Sequence, residues 1–254
     1  MVRFSGSDEL QGATFVGANL RGARFAESDL SGVVMRGVEV SGMDVDAPWL
    51  PEGDGLRVNG VDVTAFVEAE LDRRFPGRAS RRAADPDGLR AAWATLERTW
   101  AATLQRAAAM PEGAVDVSVD GEWSFAQTLR HLVHATDIWL GRAVLGLDDP
   151  FHPLGQADTT AADEGLGSSA GVPVPSFDEV LEVRAGRVAM VRDFLAAVTP
   201  AVLAEERRNP HAPEHAETVL SCLHVVLEEE WEHHRFAVRD LGAIEHTIEG
   251  LQPS

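Results

Sequence analysis

Between residues 8 and 50 the chain places a large apolar residue at every fifth position: Leu10, Phe15, Leu20, Phe25, Leu30, Met35, Val40, Val45 and Leu50. Two positions before the large residues stand Ala13, Ala18, Ala23, Ser28, Val33 and Val38, and small polar or charged residues such as Asn19, Asp29 and Asp44 directly precede many of them. A period of five matches neither the helical 3.6 nor the strand period of 2, which excludes an amphipathic helix or an ordinary strand. It predicts a solenoid, whose repeats bury their apolar faces only by stacking on one another. Nine repeats are few for such a structure, so the rest of the chain is expected to cap it.

The segments ATFVG, ANLRG, ARFAE and SDLSG at residues 13–32 carry a resemblance to the pentapeptide-repeat family, whose pattern is A(D/N)LxG. That resemblance implies a short right-handed quadrilateral β-helix with four pentapeptides per coil and the large residues stacked inside. We assign it to residues 1–52.

Residues 53–85 read as a connector. RVNGVDV alternates around an Asn-Gly turn signal, and VTAFVEAELDRRF reads as a short amphipathic helix stopped by Pro76 and Gly77. From residue 86 to about 250 the period turns helical. Leu89, Trp93, Leu96, Trp100 and Leu104 mark a first helix, and FAQTLRHLVHATDIWLGRAVLG carries a second to Gly146. A third opens on the capping-box pattern SFDE at Ser176, and a fourth runs from about Ala216 to near Ile248. Four such helices predict a mainly α protein, a four-helix bundle with a long crossover at 147–175. A connection of that length is usually functional, for instance a lid.

Composition removes several chemistries. All 22 basic residues are Arg and Tyr is absent, so neither a Schiff-base lysine nor a tyrosine acid is available. The net charge of -19 argues against a nucleic-acid partner, because phosphate binding draws on basic side chains. No run of about 18–20 apolar residues, and no apolar core in MVRFSGSDELQG, leads us to expect a cytoplasmic protein with no membrane partner. A single cysteine, Cys222, forbids an internal disulfide and any Cys-rich metal site. Any metal must rest on His and carboxylates.

Glu230 and His234 lie four apart in LHVVLEEEWEHHRFAVRDL and share one helix face. His131 and His134 in RHLVHATD offer a further ligand from the second helix. Three N/O ligands with an open fourth position is the pattern of a catalytic site. These residues carry a second resemblance, over roughly 86–245, to the DinB superfamily, which includes bacillithiol and mycothiol S-transferases and a mycothiol-dependent maleylpyruvate isomerase. It implies a helical bundle with a metal site of three histidines, one in a context like HLxxxxD and two in an HxxxH pair. Carried onto HLVHATD and EWEHHR, it implies His131, Glu230 and His234 as ligands, with Glu230 where the family usually has His. Such a set suits zinc, and equally nickel, manganese or iron.

Around it, His134 and Glu229 are candidate catalytic bases, and Trp139, Trp231 and His224 candidate pocket walls. The resemblance implies a thiol S-transferase, or a hydrolase if water takes the open position, with a small thiol and an electrophile as partners. All-Arg basic usage and Ala richness fit a GC-rich coding bias, which favours mycothiol as co-substrate. The alternative is a non-catalytic interaction or scaffold protein using the acidic repeat surface, and the open solenoid end offers a homodimer surface.

Overall fold

The computed structural model describes residue 4, residues 10–158, 162 and 165–167, and residues 174–250. The start of the repeat at residues 8 and 9 and much of the 147–175 connection lie outside the described residues. The chain divides into two compact units after Asp46.

In the first unit the backbone itself has the five-residue period. Gly12, Gly17, Gly22, Gly32, Gly37 and Gly42 all have positive φ, and Glu27 occupies the same register with φ 47°. The chain thus turns a corner every five residues. Every second corner is closed by a hydrogen bond, from Ala13 N to Leu10 O, Ala23 N to Leu20 O, Val33 N to Leu30 O and Met43 N to Val40 O, at 2.9–3.1 Å. The large residues are less enclosed than the word "inside" suggests: Leu10 keeps 41% of its surface exposed and Phe25 64%. The reason is length. With about two coils, no layer has neighbours on both sides.

The second unit is mainly helical. It opens with a hairpin of β1 (Arg57–Val58) and β2 (Val61–Asp62), paired Arg57 with Asp62 and Val58 with Val61. Asn59 and Gly60 both take positive φ, as a two-residue type I′ turn requires. Helix α1 (Thr64–Arg74) and a 3-10 turn (Arg78–Arg82) follow. Residues 53–85 are therefore part of this unit, because Arg78 and Arg81 are buried against the last helix.

The bundle comprises α2 (Pro86–Ala108), α3 (Phe125–Thr136), α4 (Phe177–Ala197) and a long final helix, introduced below as α6. Each start has a chemical cause. Asp85 caps α2 by accepting from Gly88 N, with Pro86 in the first position, where its missing N–H costs nothing. Reciprocal capping boxes, Ser124 with Gln127 and Ser176 with Glu179, open α3 and α4. The second predicted helix is α3 continued by a π-helical segment, Asp137–Val144, where Leu145 N reaches back to Leu140 O.

A short helix α5 (Pro200–Leu203) leads into a hairpin of β3 (Glu206–Arg208) and β4 (Ala216–Thr218), then α6 (Val219–Gly250). The fourth helix thus begins at Val219 rather than Ala216, since Ala216–Thr218 is taken by the strand. Helices α2 and α3 each pack chiefly on α4 and α6. Their shared core centres on Trp93, Leu96, Leu129, Val191, Leu227 and Trp231. Among the described residues no helix is long and apolar enough to cross a membrane.

Candidate metal centre

Consecutive residues of a helix point about 100° apart, and the acidic run of α6 shows the consequence. Glu228 faces Arg81 of the 3-10 turn, with Nε to Oε1 at 3.5 Å. Glu229 faces His131 of α3, with Nε2 to Oε2 at 3.2 Å. Glu230 faces Arg184 of α4, whose Nη2 donates to both of its oxygens. Glu232 accepts from Arg78 Nη2 at 3.2 Å and from Arg235 Nη2 at 2.8 Å. Glu228 and Glu232, four apart, thus face the 3-10 turn, while Glu229 faces α3 and Glu230 faces α4.

The residue four beyond Glu229 is His233, and it shares Glu229's face. His131, Glu229 and His233 bring one ligand atom each to within 4.8 Å of one another. The His131 and His233 rings stack at 4.6 Å, and Trp123, just before α3, lies against both, at 4.8 and 6.3 Å. His131 Nδ1 is 3.1 Å from the carbonyl oxygen of Gln156, and His233 Nδ1 is 2.9 Å from the Glu229 carbonyl oxygen.

The pair on α6 that clusters with His131 is thus 229 and 233, one residue earlier than the expected 230 and 234. Glu230, 1% exposed, lies in the bundle interior with Arg184. His234 sits in an aromatic box, edge-on to Trp100 at 5.1 Å, Trp231 at 6.0 Å and Phe75 at 6.1 Å. Its Nε2 lies 2.8 Å from Thr103 Oγ1, its Nδ1 has no partner among the described residues, and burial pushes its pKa down to about 4. A neutral core histidine is what that setting makes.

The remaining expected residues divide. His131 is where the sequence put it. His134 is buried, 6.5 Å from His131 between ring centres, and its Nε2 has no partner among the described residues. Burial, then the charge of His131, lowers its pKa to about 4. His134 also lines a cavity of about 580 Å³ with Phe151, His152 and Gly155. Glu229, expected as a base, is instead one of the three clustered ligands. Trp231 is a core residue, edge-on to His234. His224 reaches the Ala83 carbonyl with Nε2 at 2.9 Å, a structural tie. Trp139, half-buried, meets His211 of the β3–β4 loop at 5.6 Å. Trp123 and the Gln156 carbonyl escaped sequence reading. Trp123 lies just ahead of the second predicted helix, outside its apolar pattern, and a backbone oxygen leaves no signature.

The donor set fits a divalent ion. Two nitrogens and one oxygen are a known catalytic combination, and ligand atoms about 2.1 Å from a tetrahedral ion stand roughly 3.4 Å apart. The 3.2 Å between His131 and Glu229 is already of that order. Electrostatics agrees. Burial opposes charge on His131, yet the Glu229 carboxylate outweighs it and raises the His131 pKa; burial opposes charge on Glu229 too, and His131 with its neighbours still lowers it. His233, by burial and then the charge of His131, is held neutral with a pKa of about 4. When His131 gives up its Nε2 proton, the Gln156 carbonyl keeps Nδ1 protonated and leaves Nε2 as the ligand atom.

A helical bundle with three convergent N/O groups on two of its helices is the arrangement from which metal sites in such bundles are built. The DinB superfamily matches this chain over residues 95–237, and pentapeptide repeats, in eight copies, match residues 9–42. The chain belongs to the DinB superfamily and carries pentapeptide repeats ahead of that domain. Neither a curated protein nor a solved structure matches it.

Proposed function

We propose that the bundle is a metal-dependent enzyme of the DinB type that activates a low-molecular-weight thiol, with mycothiol as the candidate, or water. The observation that carries the reading is the cluster of His131, Glu229 and His233 within 4.8 Å, three ligands where four would close the ion. A bound divalent ion lowers the pKa of a coordinated thiol or water and so supplies a nucleophile near neutral pH. His131, Glu229 and His233 would hold it. Trp123 covers the two imidazoles and keeps water from that side. His134, neutral and with Nε2 unused, is placed to exchange a hydrogen bond with an incoming substrate, and it also lines the cavity in which an electrophile would fit.

The test loads the protein with zinc, nickel, manganese or iron. Thiol consumption is followed with mycothiol and bacillithiol against a panel of electrophiles, beside ester and amide hydrolysis. The reading expects turnover that needs metal, disappears in His233→Ala, and falls in His134→Gln with metal content unchanged. Metal-loaded protein inert toward every thiol and every hydrolytic substrate would overturn it in favour of a scaffold role.

A further inference from the structure

After the π-helical segment the chain doubles back along α3, and residues 150–156 are fastened to it at both ends. At the near end Asp137 Oδ2 accepts from His152 N at 2.9 Å, and Asp137 Oδ1 from Arg187 Nε of α4 at 2.6 Å. At the far end Arg130 Nε donates to Leu154 O at 2.8 Å, and Gln156 N to Arg130 O at 3.0 Å. Between them Leu154 N donates to His152 Nδ1 at 3.1 Å, and Gly155 N to His152 O at 2.8 Å. The segment ends at the oxygen that meets His131 Nδ1.

Two features make this more than loop packing. Arg130 is 9% exposed and no carboxylate pairs with it among the described residues, so a costly buried guanidinium is kept for a hydrogen bond to Leu154. Gly141, in the π segment, allows the segment to lie close: a Cβ there would come within 2.8 Å of Pro150 Cβ.

We infer that residues 150–156 are a strap that sets His131 for the metal. The Gln156 carbonyl fixes the Nδ1–H tautomer, and Arg130, Asp137 and Gly141 are positioning residues that hold the strap in place. The inference rests on the metal-centre reading above. None of the three touches the ion's expected ligand atoms; they act through one backbone oxygen. Partners of this kind orient a ligating imidazole and typically account for about 10–100-fold in metal affinity.

The test uses the full chain with two readouts. The first is the zinc dissociation constant of Arg130→Met, Gly141→Ala and Arg130→Lys beside wild type. The second is the His131 tautomer in metal-free Glu229→Ala protein near pH 9, from long-range proton–nitrogen NMR, because in wild type the Glu229 carboxylate 3.2 Å from Nε2 competes with the Gln156 carbonyl for the one ring proton. Arg130→Met and Gly141→Ala should weaken zinc about 10–100-fold with a melting temperature near that of wild type, and Arg130→Lys, which keeps a donor, should recover most of the loss. With Glu229 replaced by Ala, His131 should carry its proton on Nδ1, and adding Arg130→Met should shift population to Nε2. Unchanged affinity in Gly141→Ala, which removes no polar group, or an Nε2–H tautomer in Glu229→Ala, would overturn the strap. A wild type that binds no zinc at all would instead overturn the metal reading, while the metal-free tautomer still decides the strap.

Discussion

Arg184 of α4 donates through one nitrogen, Nη2, to both carboxylate oxygens of Glu230 on α6, and this buried pair is one of three contacts that set which face of α6 meets His131. With Glu230 directed at α4, the helical step turns Glu229 and His233 toward α3. Arg81 on Glu228 and Arg78 on Glu232 hold the same rotation from the side of the 3-10 turn.

Removing one member of this pair is expected to be costly. Arg184→Met leaves a buried carboxylate alone and should destabilise the bundle by about 3–5 kcal/mol. The double variant Arg184→Met/Glu230→Leu should regain most of that, because Arg184 Nη1 is already buried with no partner among the described residues and the pair is incompletely satisfied. Urea denaturation measures both. A double variant no more stable than Arg184→Met would show that the pair's polarity, and not its isolation, matters.

Metal and proton compete for His131. Its pKa lies above the ordinary 6.5 because Glu229 prevails over burial, and an ion needs the Nε2 lone pair. Zinc affinity should therefore fall as pH drops through the His131 pKa, by up to about tenfold per pH unit for one displaced proton, and level off above it. Calorimetric titration between about pH 6 and pH 8 measures this, and a flat profile would contradict it.

The thiol of Cys222 should be inert. It is fully buried, and burial, with the Glu217 charge adding to it, pushes its pKa up to about 11. Iodoacetamide at about pH 8 should leave native protein unlabelled and label urea-unfolded protein fully. Rapid labelling of the native state would show that α6 opens locally.

In the repeat unit, Glu27 sits where its neighbours in register are glycine, with φ 47°. A left-handed conformation costs a side-chain-bearing residue about 1–2 kcal/mol, and glycine returns some of that as unfolded-state entropy. Glu27→Gly should stabilise the solenoid by about 0.5–1 kcal/mol. Amide exchange at Ala23 and Val33, which close the flanking corners, should slow by about two- to fivefold; faster exchange would refute the register argument.

Much of this was legible in the sequence. The five-residue period, the Asn-Gly hairpin, the capping box at Ser176 and His131 in HLVHATD all act over a few residues, where composition and spacing speak directly. The register of the metal pair was not. EEEWEHH offers two Glu/His pairs four apart, 229 with 233 and 230 with 234, and local chemistry favours neither. The choice is made by Arg184, Arg81 and Arg78, partners 46 to 154 residues away. The π-helical segment and the β3–β4 hairpin escaped for the same reason: strap and hairpin strands set them, and the local pattern reads as plain helix and loop.

The register itself is the claim to test first. Zinc stoichiometry by mass spectrometry should be measured on wild type, His131→Ala, Glu229→Gln and His233→Ala, beside His234→Gln and Arg184→Met/Glu230→Leu, with circular dichroism to show that each is folded. The structure predicts about one equivalent in wild type, retained in the last two and lost or greatly weakened in the first three. Metal kept by Glu229→Gln and His233→Ala but lost with changes at Glu230 and His234 would contradict it.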